Sequence, residues 1–198
     1  MQNGLIYILQ SLMDLYLMAF VLRLAMQWVR ADFRNPIVKF VLTVTNPLVL
    51  PLRRFIPPLY KIDTATVLVF LLLQLAATGI LAQLSCAVTP DLLTLLGLAI
   101  LRGLRQILNV YFYVIFGHVL MSWIAQGSYN PSLAMIGAVL KQLAQPVLAP
   151  LQKYIPPIGG LDLSPLFLLL LLGAITRMLY GPAQQLAGQF LCPLGVIL

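Results

Sequence analysis

The residues of this chain with the potential for chemistry are polar side chains set inside long apolar runs. Asp14, Arg23, Gln74, Asn109, His118 and Arg177 all fall within stretches dominated by Leu, Ile, Val, Ala and Phe. Holding a charge inside a bilayer costs roughly 2.5–3.5 kcal/mol on insertion scales, so each such group asks for a partner or a task. At ~1.5 Å per helical residue, Asp14 lies near mid-depth in the first apolar run and Arg177 about one turn from that level in the last. The spacing predicts an Asp14–Arg177 ion pair, either a fastening between helices or part of an ion or proton path. Arg23 is expected to snorkel to the headgroups. His118 reads as a hydrogen-bonded packing residue or a pH-responsive group, and Trp28 and Trp123 as aromatic anchors at the interface. One histidine and five carboxylates, with no nucleophile–base or metal-ligand spacing, do not suit catalysis. No enzyme activity, catalytic residue, metal or cofactor is therefore expected. Cys86 and Cys192 lack metal spacing, and a disulfide between them is one open alternative.

Composition says what must hold these residues. Hydrophobic residues make up 61% of the 198 positions, charged residues 9%, and the mean hydropathy is +0.98. A soluble domain carries roughly 25% charged residues, so this sequence cannot build a water-facing surface and the bilayer is its solvent. The net charge of +7 is explained by basic residues flanking apolar runs, as the positive-inside bias requires. No direct nucleic-acid partner is expected. The first apolar run follows no Lys or Arg and precedes no small-residue cleavage signal, so the first helix is expected to stay in the mature protein.

The chain is internally duplicated. Pro47, Pro51, Leu52, Ile56, Pro57, Pro58 and Asp63 recur 99 positions later as Pro146, Pro150, Leu151, Ile155, Pro156, Pro157 and Asp162. Upstream the offset is 95, pairing Tyr16 with Tyr111, Trp28 with Trp123, Asn35-Pro36 with Asn130-Pro131, Asp14 with Asn109 and Arg23 with His118. The four extra residues fall between Pro131 and Pro146 and amount to about one helical turn.

Each unit predicts a membrane helix, an interfacial segment, a Pro-rich turn and a second membrane helix. The expected fold is all-α, with four transmembrane helices from two parallel repeats: Gly4–Val29, Thr64–Leu84, Gln106–Ile124 and Pro165–Tyr180, each near the ~20 residues a bilayer needs. The domains are then residues 1–84, a linker 85–105 with a surface or re-entrant helix, a second repeat 106–180, and an apolar C-terminal tail 181–198. Asp63 and Ser164 stand where helix N-caps belong, with Pro165 suited to the first helical position. Placing the Arg- and Lys-bearing loops in the cytoplasm puts both termini outside.

Pro36–Leu52 and Ser132–Ala149 carry Lys39 and Lys141 among apolar residues, which suits the plane of the interface. Arg53, Arg54, Lys141 and Lys153 are expected to contact anionic lipid, at about 1 kcal/mol each, or a docking partner. Membrane lipids are the expected partners, with membrane or cytoplasmic proteins and a homo-oligomer as further candidates.

The doubled Pro-Leu-Arg-Arg-Phe-Ile-Pro-Pro and Pro-Leu-Gln-Lys-Tyr-Ile-Pro-Pro motifs, with Leu22–Trp28 and Met121–Trp123, resemble the YggT family of bacterial inner-membrane proteins, also called YlmG, in its two-repeat form. The second copy departs from the first by having Gln152-Lys153 in place of Arg53-Arg54. The resemblance implies a multi-pass protein of the bacterial inner membrane and a role in osmotic-stress or ion homeostasis. Relatives in cyanobacteria and plastids are linked to nucleoid distribution, division and cytochrome-complex assembly. It brings no catalytic residues. The function expected is a scaffold or assembly factor, with a potassium or proton channel or transport subunit, acting as an oligomer, as the alternative.

Overall fold

The computed structural model describes residues 2–57, 63–124, 130–154, 162–188, 190 and 192. Pro58, Pro156 and Pro157, expected to shape the two turns, lie outside them. The described residues are helical, with no strand among them: α1 Gln2–Trp28, α2 Pro36–Arg53, α3 Thr64–Ser85, α4 Leu92–Ile124, α5 Pro131–Tyr154, α6 Ser164–Met178 and α7 Tyr180–Gly188.

Five helical segments are long and apolar enough to cross a membrane, one more than the four expected: Gly4–Trp28, Thr64–Ser85, Leu92–Ile124, Pro131–Tyr154 and Ser164–Gly188. The additional one is α5, whose Lys141 and Lys153 are diluted by apolar neighbours. A second correction concerns residues 91–105. They form no separate surface or re-entrant helix; α4 starts at Leu92 and runs unbroken for 33 residues. Arg102 and Arg105, which suggested an end to the apolar run, lie within this helix, Arg102 buried and Arg105 half-buried. The tail is also partly helical, because α7 extends α6 as far as Gly188.

Helix ends follow local chemistry. The Asn35 side chain accepts the Ile37 amide at 2.9 Å and Pro36 opens α2, where a missing N–H costs nothing. Pro47 and Pro51 sit inside α2, and Pro146 and Pro150 inside α5. Each removes one helical hydrogen bond. Asp63 stands at the N-cap of α3 as expected but makes no side-chain capping hydrogen bond, and the N-cap of α6 is Leu163 in place of the expected Ser164. Asp63 flanks α3 with its carboxylate aimed elsewhere, and Ser164 is already helical, its N–H donating to Asp162 Oδ1 at 2.9 Å.

Packing sets the helix directions. Gln27, near the end of α1, reaches Asp63, just before α3, so these two helices are antiparallel. Past the end of α3, Cys86 is disulfide-bonded to Cys192, and Val88 N–H donates to Phe190 C=O. Leu98 of α4 packs at this same end against Ala187 of α7. α1 and α4 therefore run the same way, with α3 and α6–α7 returning. The main core joins Phe20 and Val21 of α1, Val69 and Phe70 of α3, Val114 and Ile115 of α4 and Leu168 of α6. Gly103 brings α4 close to α3: a Cβ there would stand 3.6 Å from carbons of Phe70 and Gln74.

α2 and α5 occupy equivalent places. α2 buries Val38, Val41, Thr45 and Val49, a one-sided stripe at helical spacing; α5 buries Val139, Leu143, Ala144 and Leu148. Seven residues separate α1 from α2, and Arg53 at the other end of α2 pairs with Asp63. Both its ends are thus held at one end of α1 and α3. α5 is tied there too, where Met135 C=O accepts Asn35 and Gln142 reaches the Val29 and Arg30 carbonyls at 3.4 and 3.5 Å.

Candidate functional site

Two polar assemblies lie inside the bundle. The first centres on Asp63, 5% exposed at the start of α3. Its Oδ2 accepts hydrogen bonds from Arg53 at 2.5 Å, Thr66 at 2.7 Å and Gln27 at 3.2 Å. Arg23 approaches the same oxygen at 3.8 Å and donates from Nη1 to Thr45 at 2.7 Å and Asn46 at 2.9 Å. Arg23 is 1% exposed, so it does not snorkel; Thr45, on the buried stripe of α2, and its neighbour Asn46 meet it there. Burial alone would push the Asp63 carboxyl up. Hydrogen bonds from Arg53, Thr66 and Gln27, with the Arg53 charge, outweigh burial and hold it below the usual carboxylate range.

The second copy keeps one of these contacts and lacks the arginines. Gln152, the counterpart of Arg53, donates to Asp162 at 2.7 Å, and His118 replaces Arg23. Asp162 is exposed. Its carboxyl is pushed up by burial and, more strongly, drawn down by Ser164, Gln152 and nearby His118. His118 itself is half-buried.

The second assembly joins the repeats. Asp14 does not meet Arg177, which stands exposed on α6. Its partner is Arg102 of α4: Nη2 donates to Asp14 Oδ1 at 2.6 Å, and Gln106 donates to the Asp14 carbonyl at 2.8 Å. Arg102 is 1% exposed, and its Nε and Nη1 have no hydrogen-bond partner among the described residues. The Gln74 carboxamide is likewise buried and unpartnered. A cleft of about 380 Å³ opens beside this pair between α1 and α4, with Asn109 in its wall.

The expected lipid-facing residues divide. Arg53 is bound to Asp63, whereas Arg54, Lys141 and Lys153 are exposed. Lys141 edges a groove of about 760 Å³ between the end of α1 and α5, with Trp28, Gln142, Gln145 and Pro146. Pro57 is exposed, its carbonyl accepting the Thr64 hydroxyl at 2.8 Å.

The sequence reading missed Gln10, Gln27, Thr45, Asn46, Thr66, Arg102, Arg105 and Gln106. Helical spacing carries a signal for part of this set. Arg102, Gln106 and Asn109 follow i, i+4, i+7, and so do Tyr7, Ser11 and Asp14, which puts each trio on one helix face.

The family model described as CCB3/YggT matches residues 2–84 and 97–183. These stretches begin 95 residues apart and end 99 apart, the two registers of the internal repeat. Among similar proteins, an uncharacterized protein of Pseudomonas aeruginosa is 37% identical over 189 residues, 95% of this chain and 94% of that one. The uncharacterized protein YggT of Escherichia coli K12 is 37% identical over 191 residues, 96% of each. YlmG homolog protein 2, chloroplastic, of Arabidopsis thaliana is 35% identical over 80 residues, 40% of this chain and 30% of that protein. No solved structure matches.

Proposed function

The chain belongs to the CCB3/YggT family, and from that premise we propose that it is a non-enzymatic scaffold or assembly factor of the bacterial inner membrane, serving osmotic-stress or envelope homeostasis. One observation carries this reading: Asp14 and Asp63 inside the bundle are both engaged by arginines, while six exposed basic groups gather on and beside α2 and α5. Arg23, Arg53 and Asp63 form one group, and Asp14 with Arg102 another. Arg30, Arg34, Lys39, Arg54, Lys141 and Lys153 are exposed.

In this reading four segments cross the bilayer, and α2 and α5 lie across its cytoplasmic side. α2 supports this, since a helix of about 27 Å with both ends at one end of the bundle does not traverse it. Positive charge at that face attracts anionic lipid and acidic protein surfaces.

The test is complementation of a deletion strain under osmotic downshift by Arg54→Glu/Lys153→Glu, checked for insertion at wild-type level. Loss of rescue is expected; full rescue by the inserted variant sinks the reading. A second reading, potassium or proton conduction by an oligomer, is favoured by the cleft beside Asp14. Flux through proteoliposomes that Asp14→Asn alters would replace the scaffold reading with it.

A further inference from the structure

The α1–α4 cleft has a property that neither reading uses. Tyr7 and Tyr113 also line it, and its polar walls include Gln10, Ser11 and Asp14 on α1 and Arg105, Gln106 and Asn109 on α4. At the repeat offset of 95 these are matched pairs: Gln10 with Arg105, Ser11 with Gln106, Asp14 with Asn109. Since α1 and α4 run the same way, the cleft straddles the pseudo-two-fold axis relating the repeats. In many transporters built from repeats, substrate sites lie at the interface between the repeats, near mid-depth.

The walls match in position and differ in chemistry. The α1 wall offers acceptors: the Asp14 carboxylate, 30% exposed, and Gln10 Oε1, buried without a hydrogen-bond partner on a residue only 8% exposed. The α4 wall offers donors. Asn109 brings an amide, and the Arg105 guanidinium lies 5.4 Å over the Tyr180 ring with its Nε buried and unpartnered. Charge does not balance. Asp14 is already committed to Arg102 through Oδ1, so Arg105 is the cation left over, and an uncompensated cation in a low-dielectric setting calls for an anion.

We propose that this cleft binds a small hydroxy-acid anion, its carboxylate on Arg105 and Asn109 and its hydroxyl donating to Gln10 Oε1. An anion of one charge neutralises the site, and the hydroxyl satisfies the one orphaned acceptor in its wall. The volume, about 380 Å³, lies in the range of small-molecule sites. The inference goes beyond the scaffold reading, because binding requires neither partner nor flux.

Thermal unfolding of the purified full chain in detergent tests it, with lactate, propionate and 1,2-propanediol as probes. Lactate is expected to raise Tm saturably, with half-saturation at least fivefold below that of propionate, and the uncharged diol to have no effect. Arg105→Gln should abolish the lactate shift, and Arg105→Lys should weaken it while keeping the charge. Gln10→Leu should bring lactate down to the level of propionate. Arg177→Gln, exposed on α6, should change nothing. Each variant is first required to unfold cooperatively with wild-type helix content. The absence of a saturable shift in the wild type, equal shifts with lactate and propionate, or a shift retained in Arg105→Gln would overturn the assignment. So would cross-linking of Ser11→Cys between two copies, which would make the cleft an interface.

Discussion

Arg102 and Asp14 meet at 2.6 Å across α4 and α1, a direct ion pair between the two repeats. Arg102 is almost wholly buried and Asp14 is part-exposed, so the two ends of the bond differ in what their loss leaves behind. Asp14→Asn strands a buried guanidinium and should destabilise by about 3 kcal/mol, the low end for a broken buried pair. Asp14→Asn/Arg102→Met should recover at least about 1 kcal/mol of that loss. Unfolding midpoints in mixed micelles check the cycle; strictly additive losses would count against coupling.

Asp63 and Asp162 occupy equivalent positions with unequal consequences. Asp63→Asn leaves Arg23 buried beside Arg53 with no counter-charge and should cost roughly 3–5 kcal/mol. Asp162→Asn loses an exposed carboxylate held by Gln152 and one backbone amide, a matter of about 1 kcal/mol. The same unfolding assay on both single variants gives the comparison, and equal losses would contradict the asymmetry.

Acidity should act in part through Asp63. Its folded pKa lies below the unfolded value of about 3.9. Its contribution is therefore present above that unfolded value and is lost as pH falls through the folded one. Asp162 shifts in the same direction, so the informative quantity is a difference. Between pH 6 and pH 3 the Tm of the wild type should fall further than that of Asp63→Asn; parallel curves would remove Asp63 from the acid response.

Reducing the bond between Cys86 and Cys192, or replacing Cys86 with Ser, should loosen the C-terminal segment from the end of α3. Closing a loop of about 100 residues is worth up to roughly 4.7 kcal/mol in the chain-entropy model. A mobility shift between reducing and non-reducing gels reports the bond, and protease sensitivity near Phe190 reports the release. Such bonds persist in oxidising compartments, so its presence in protein isolated from cells also favours a topology with both termini outside.

The duplicated Pro-rich motif and the apolar runs made the helices and their parallel arrangement legible. Partners were harder to read. Asp14 found the wrong arginine on paper because Arg102 and Arg105 looked like the end of a short apolar run. Only packing against α1 shows that a basic residue there extends the helix instead of terminating it. Arg23 was misjudged for a related reason: Thr45 and Asn46, which hold it inside, belong to a segment whose composition reads as interfacial. Asp63 had the sequence position of a helix cap, and the pull of three nearby side chains redirected its carboxylate. Cys86 and Cys192 are 106 residues apart, and nothing local announces their proximity.

The Cys86–Cys192 bond also changes what the chain is as a covalent object. Residues 86 to 192 form a closed ring that contains the whole second repeat, from α4 through α7, with the first repeat as a linear arm attached to it. A single peptide-bond cut anywhere inside the ring, including the stretch between α5 and α6, leaves both repeats in one molecule. A cut in the arm, between α2 and α3 for example, releases α1 and α2 from everything but their non-covalent packing. Damage to the backbone therefore has unequal outcomes in two halves that descend from one pattern.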